Sequence, residues 1–241
     1  MKKNKLDRFI QKYNLGGNVN STRWKSDGNE LLTSFVTSDN SLLGTVKVDN
    51  FPFESAELGV YQTDQLKSLI GVLGDDIDLK LSKFGDKAVS LNVKNDNVSI
   101  DYVLSDVSVI PNPPKMKRLP QFGTKIKLDT KFIETFIKGK SALTDVDTFT
   151  VLNNTKMNRV EVVIGYASIN TNRVTIPVTT TASDLNDVIS FNANIFKEIL
   201  LANKECTSAV LEVSNEGLAK VNFKVDDYDS EYFIVATQGV D

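Results

Sequence analysis

The 241-residue sequence contains no histidine and a single cysteine, Cys206. The first absence removes the commonest general base at neutral pH and the commonest metal ligand. The second excludes an intrachain disulfide and a thiolate zinc site, and Cys206 reads as a small, partly buried filler in a reducing compartment. No apolar run approaches the roughly 20 residues that span a bilayer. Lys2, Lys3 and Lys5 open the chain, and Asp7 and Arg8 follow before any apolar stretch, so no signal peptide is expected and the expected location is the cytoplasm. There is no Walker A loop, dinucleotide fingerprint or nucleophile elbow. No pair of carboxylates stands out from turn chemistry, so the chain reads as a non-enzyme with no metal and no cofactor. A strong charge of either sign is missing too: 28 basic against 31 acidic residues leave a net charge of −3. Any basic surface must therefore be local and offset by acid elsewhere. Hydrophobic residues, at 41%, suffice for real cores.

Proline is scarce except in one place. Four of the six prolines lie in the segment from Pro111 to Pro120. Proline fixes φ and removes a donor, so this segment can be neither helix nor central strand and is expected to be an extended connector. The expected division is 1–110, connector 111–120, and 121–241.

The two flanking segments look like copies of one another. Tyr61, Leu66, Leu69 and Ile70 have helical spacing, followed by alternating Ile77, Leu79 and Leu81; Phe191, Phe196, Ile199 and Leu200 repeat the spacing, followed by Ala209, Leu211 and Val213. Gly85 answers Gly217, and Val89, Leu91 and Val93 answer Val221, Phe223 and Val225. Leu6, Phe9, Ile10 and Tyr13 form one opening stripe, and Phe132, Ile133, Phe136 and Ile137 the other. Each half therefore predicts helix, strands, helix, strands. Other predicted strands are 31–37, 42–49, 149–153, 159–169 and 173–180. Asp75, Asp76 and Asp78, and again Asp226, Asp227, Asp229 and Glu231, read as solvated turns. Trp24, the only tryptophan, reads as core.

Charge follows this division. The four helical windows 1–15, 62–74, 129–140 and 192–204 together carry +6, which leaves −9 for the rest. Each apolar stripe must face a sheet, so the opposite helix face is free. Lys5, Arg8 and Lys12 share such a face on the first helix, Lys131 and Lys138 on the third, and Lys197 and Lys204 on the fourth; the second offers only Lys67. Lysines on rigid helices attract phosphate without reading sequence, and an acidic remainder keeps nucleic acid off other surfaces. Those eight residues are the candidate DNA contacts.

Two helix–sheet–helix–sheet copies joined by a Pro-rich connector resemble the DNA sliding clamps, the polymerase processivity factors. The length resembles the trimeric type with two domains per subunit, and within it the clamps of T-even-like phages. The segment from Val60 to Asp76 (Val-Tyr-Gln-Thr-Asp-Gln-Leu-Lys-Ser-Leu-Ile-Gly-Val-Leu-Gly-Asp-Asp), the opening helix and the strand Tyr232-Phe233-Ile234-Val235-Ala236 carry the likeness. It implies an α+β fold: two tandem copies of the clamp domain, helices on one face of antiparallel sheets, assembled as a homotrimeric ring around duplex DNA. It implies an ATP-dependent clamp loader that opens the ring, a DNA polymerase docked near the connector, and late-transcription factors as further partners. A phage-encoded clamp would act in the host cytoplasm.

Met116, Leu119, Pro120 and Phe122, rimmed by Lys115, Lys117 and Arg118, form the candidate docking patch for a partner peptide. The expected subunit edges are the strands near 98–109 and 173–180. The competing reading is a ring- or tube-forming structural phage protein with duplicated β-rich domains.

Overall fold

A computed structural model describes residues 1–167 and 171–237. The chain forms two compact units. Unit 1 comprises residues 1–38, 44–114 and 226–230; unit 2 comprises 39–43, 115–225 and 231–241. The longest segments of the two units meet between Pro114 and Lys115, and two short stretches, 39–43 and 226–230, are assigned to the other unit from their neighbours in sequence. Residues 111–123 form neither helix nor strand.

Unit 1 opens with helix α1 (Lys3–Asn14). Leu15 takes a left-handed φ of 47°, and Gly16 and Gly17 continue with positive φ, a run that ends the helix. Strands β1 (Thr22–Ser26), β2 (Leu31–Val36), β3 (Leu42–Val48) and β4 (Ala56–Val60) follow in the order β3-β2-β1-β4. On β1 the alternating residues Thr22, Trp24 and Ser26 are buried. Leu6, Phe9, Ile10 and Tyr13 of α1 are buried too, and the Phe9 ring meets Trp24 edge-on at 5.5 Å. Helix α2 (Thr63–Gly71) starts where Asn20 accepts from the backbone nitrogens of Thr63 and Asp64. A second antiparallel sheet has the order β5 (Asp78–Phe84), β6 (Lys87–Lys94), β7 (Ser99–Val103). It meets the first at the bridge Gly59–Ser105, where a side chain at Gly59 would overlap the Ser105 carbonyl.

Unit 2 repeats the plan: β8 (Thr124–Asp129), α3 (Thr130–Ala142), β9 (Thr148–Asn154), β10 (Arg159–Ile164), β11 (Val174–Pro177), β12 (Thr180–Ala182), β13 (Ile189–Asn192), α4 (Ala193–Ala202), β14 (Ser208–Ser214), β15 (Leu218–Val225) and β16 (Tyr228–Val235). Asp129 caps α3 through the Phe132 nitrogen at 2.8 Å, and Asn192 caps α4 through that of Ile195 at 3.0 Å. Phe136 joins the helices to the sheet, 4.9 Å from Phe196 and 5.2 Å from Phe149. The sheet orders are β11-β10-β9-β13 and β12-β8-β14-β15-β16. Helix α4 and strands β14 to β16 match α2 and β5 to β7, and the hairpin glycines Gly85 and Gly217 both have positive φ.

The expected α+β repeat of helices on antiparallel sheets is therefore present. The predicted strand at 159–169 is shorter, ending at Ile164, and its Ser168 and Ile169 lie outside the described residues. The predicted strand at 173–180 is two strands, β11 and β12. Strand β8 precedes α3, whereas before α1 the chain makes the isolated antiparallel bridge Lys2–Asp76, with backbone bonds joining Met1 to Ile77 and Lys3 to Asp75.

Candidate nucleic-acid interface

On α3, Phe132, Ile133 and Phe136 are buried, which leaves Lys131 and Lys138 on the outward side. Lys138 is 79% exposed and its only described partner is Glu134, one helical turn away at 3.5 Å. Such a surface pair is weak and exchanges readily with other anions. Lys131 is exposed, and its ammonium has no ion pair or hydrogen bond among the described residues. The same holds for Lys197, half-buried on α4, and for Lys204, which is exposed two residues beyond the end of that helix. Lys140 differs. It is buried and donates to the carbonyls of Leu143 and Thr144, closing the C-terminal end of α3.

The α1 cations do not lie on a free face. Lys12 is fully buried, with its ammonium 5.3 Å from the centre of the Tyr228 ring. Lys5 donates to Asp227 at 2.5 Å and to the Asn50 carbonyl at 2.9 Å. Arg8 pairs with Asp226 at 2.9 Å and stacks over Tyr228 at 4.5 Å. The Tyr228 hydroxyl in turn donates to the Lys5 carbonyl. Asp226 and Asp227 do form a turn, as the sequence suggests, but that turn clasps α1 and is not simply solvated. The residues of α1 that are exposed are Asn4 and Gln11. The physical reason is that the stripe of α1 is wide: it is covered on its sheet side by β1 and on its flank by the Tyr228 ring.

Lys67 on α2 is also engaged, donating to the Asn14 side-chain oxygen at 2.8 Å. Burial raises the carboxyl pKa of Asp7, an effect partly offset by the positive charges of Lys3 and Lys67. The Lys5 ammonium, and then the Asn50 amide, hold Asp227 below the ordinary carboxylate value. Sequence reasoning missed Asp226, Asp227, Tyr228 and Asn50 as partners of α1. More than 200 residues separate Lys5 and Arg8 from the turn they meet, and no local pattern reports such a contact.

In unit 2, Met116 and Leu119 are exposed at 38% and 44%, Pro120 and Phe122 are half-buried, and Lys115, Lys117 and Arg118 are exposed around them. Strand β7 ends the sheet β5-β6-β7, and β11 ends the sheet β11-β10-β9-β13. Both regions expected as edges thus contain a strand with one unpaired side.

No protein-family model matches the chain, and no curated protein matches it in sequence. Solved structures do. Proliferating cellular nuclear antigen from Entamoeba histolytica aligns over 98% of this chain and 96% of its own, with a TM-score of 0.71 and 15% identity. A. fulgidus PCNA, solved with the C-terminal region of FEN-1 bound, aligns over 100% of this chain and 98% of its own, with a TM-score of 0.76 and 14% identity. Over its whole length, the chain has the fold of these two proteins.

Proposed function

We propose that the chain is the subunit of a DNA sliding clamp of the T-even-like phage kind. Three copies close a ring around duplex DNA, an ATP-dependent loader opens it, and the ring tethers a DNA polymerase for processive synthesis without itself catalysing a reaction. The observation that carries this reading is the likeness, over 98–100% of the chain, to proliferating cellular nuclear antigens, one of them solved with the C-terminal region of FEN-1 bound.

The internal repeat supports closure. In unit 1 the Asp49 nitrogen donates to the Asp227 carbonyl, and in unit 2 the Val235 nitrogen donates to the Ser41 carbonyl. Strands β7 and β11 hold the places of β16 and β3 in the other copy of the repeat, and each has an open side. A second copy would pair its β11 on β7, and a heterologous contact of this kind closes into a ring when the rotation allows. Lys131, Lys138, Lys197 and Lys204 would supply loose phosphate contacts, and Met116, Leu119, Pro120 and Phe122 a landing site for the polymerase peptide.

The test is retention on DNA. Loaded onto closed circular duplex, the protein should stay bound through gel filtration and be lost when the circle is cut, and its mass in solution should be that of three chains. Equal retention on closed and cut DNA, or a stable monomer at micromolar concentration, would overturn the reading in favour of a structural assembly or a one-sided binder.

A further inference from the structure

We infer that Asp227 is a built-in stand-in for a DNA phosphate, holding Lys5 out of the nucleic-acid contact and so limiting how tightly the chain grips the duplex. This rests on the DNA-binding reading above and concerns the regulation of that surface.

The Lys5 ammonium is a strong, compact donor, and a carboxylate and a phosphate oxygen satisfy it in the same way. Here the carboxylate comes from the chain itself. Lys5 is held by Asp227 at 2.5 Å and by the Asn50 carbonyl at 2.9 Å. The competitor is fixed in place. Asn50 donates its side-chain amide to the other Asp227 oxygen, the Asp49 nitrogen donates to the Asp227 carbonyl, and the neighbouring Tyr228 hydroxyl donates to the Lys5 carbonyl. Asp226 takes a left-handed φ of 51°, which sets the turn tightly.

The pair is not sealed off. The Lys5 and Asp227 side chains are 20% and 41% exposed, so solvent and a passing phosphate reach them. Lys12, by contrast, is fully buried against the Tyr228 ring, out of reach of a passing phosphate. Arg8 stacks on Tyr228 as well as pairing with Asp226, so the inference is confined to Lys5 and Asp227. A sliding protein gains from such an arrangement. Each phosphate contact releases counterions and strengthens binding steeply at low salt, so withholding a cation keeps the grip loose.

The experiment compares equilibrium binding of linear duplex DNA by the full chain, Asp227→Asn, Lys5→Gln and the double variant over a salt series. Asp227→Asn should bind more tightly at low salt, with the slope of log K against log salt steeper by about 0.9 for each Lys5 that gains a phosphate. Lys5→Gln should bind like the unmodified chain, because Lys5 is already occupied. The double variant should lose the gain. Coincident lines for the unmodified chain and Asp227→Asn would overturn the inference. So would a gain that persists without Lys5, or weakened binding by Lys5→Gln. These outcomes are separate from ring closure: loss of retention on closed circles would sink the clamp reading while leaving a gain in Asp227→Asn meaningful.

Discussion

Helices α1 and α3 open the two copies of the repeat, and both carry lysines, but they use them in opposite ways. If the buried residues Leu6, Phe9 and Tyr13 are set against Ile133, Phe136 and Lys140, Lys12 falls where α3 has Gly139. A side chain at Gly139 would press on Val174 and Ile164, so that position admits no long residue, whereas in α1 the same place holds a buried lysine under the Tyr228 ring. Lys5, Arg8 and Lys67 in unit 1 are likewise held by neighbours, while Lys131, Lys197 and Lys204 in unit 2 are not. The lesson is that net charge on a helix does not measure the charge it offers. Lys5, Arg8, Lys12 and Lys67 fasten unit 1, as Lys140 fastens the end of α3, whereas Lys131, Lys197 and Lys204 remain available to a ligand.

The largest difference between the two helices is expected at Lys12. Lys12→Ala should destabilise the protein by about 3 kcal/mol, the scale of removing a long buried side chain and stranding its surroundings. Lys131→Ala should leave the melting temperature unchanged. Equal melting temperatures for the two variants would show that Lys12 is not structural.

Two glycines in unit 1 sharpen the same point about local room. Gly59→Ala must push the Ser105 carbonyl aside and break the bridge between the sheets, a cost of about 1–3 kcal/mol. Gly71→Ala, at the exposed end of α2 with no atom near the added carbon, should instead stabilise by about 0.5 kcal/mol through helix propensity. Denaturant midpoints that shift in the same direction for both would contradict these environments.

The smallest effect is expected at Asp7. Its folded-state pKa is raised, chiefly by burial, so the fold penalises the charged form and gains stability as pH falls and the carboxyl takes its proton. Asp7→Asn should therefore be more stable than the unmodified chain at neutral pH, and the advantage should fade under acid conditions. Asp227 has the opposite sign. Its pKa is lowered, so the stability it contributes above its ordinary value is lost as pH falls through the lower folded-state value. Melting curves of Asp7→Asn that gain rather than lose advantage on acidification would show that the burial cost has been misassigned.

Much of the fold was legible because the core writes itself into local spacing. Leu66 and Ile70, and Phe196, Ile199 and Leu200, mark α2 and α4, and alternating Leu91 and Val93 marks β6. Strand β8 is absent from the predicted strands although Lys125-Ile126-Lys127-Leu128 alternates cleanly, because two lysines and the adjoining Pro-rich connector give the segment the composition of a loop. Strand β1 was hidden by Arg23 and Lys25 on its outer face, with Trp24 alone marking the buried one. The cations of the site were legible as residues but not in their state. Helical spacing places Lys5, Arg8 and Lys12 on one side, yet it says nothing of a turn from the far end of the chain that covers that side.

The measurement that bears most directly on this account is the salt dependence of retention on closed circular duplex for two multiple variants. One carries Lys131, Lys138, Lys197 and Lys204 changed to Ala; the other carries Lys5, Arg8 and Lys67 changed to Gln. The first, still folded, should fall off the circle at salt concentrations that the unmodified protein withstands, with a salt slope shallower by about 0.9 for each lost phosphate contact. The second, where it is folded, should keep the slope of the unmodified protein. A first variant that keeps the original slope and lifetime, beside a second that loses both, would contradict it.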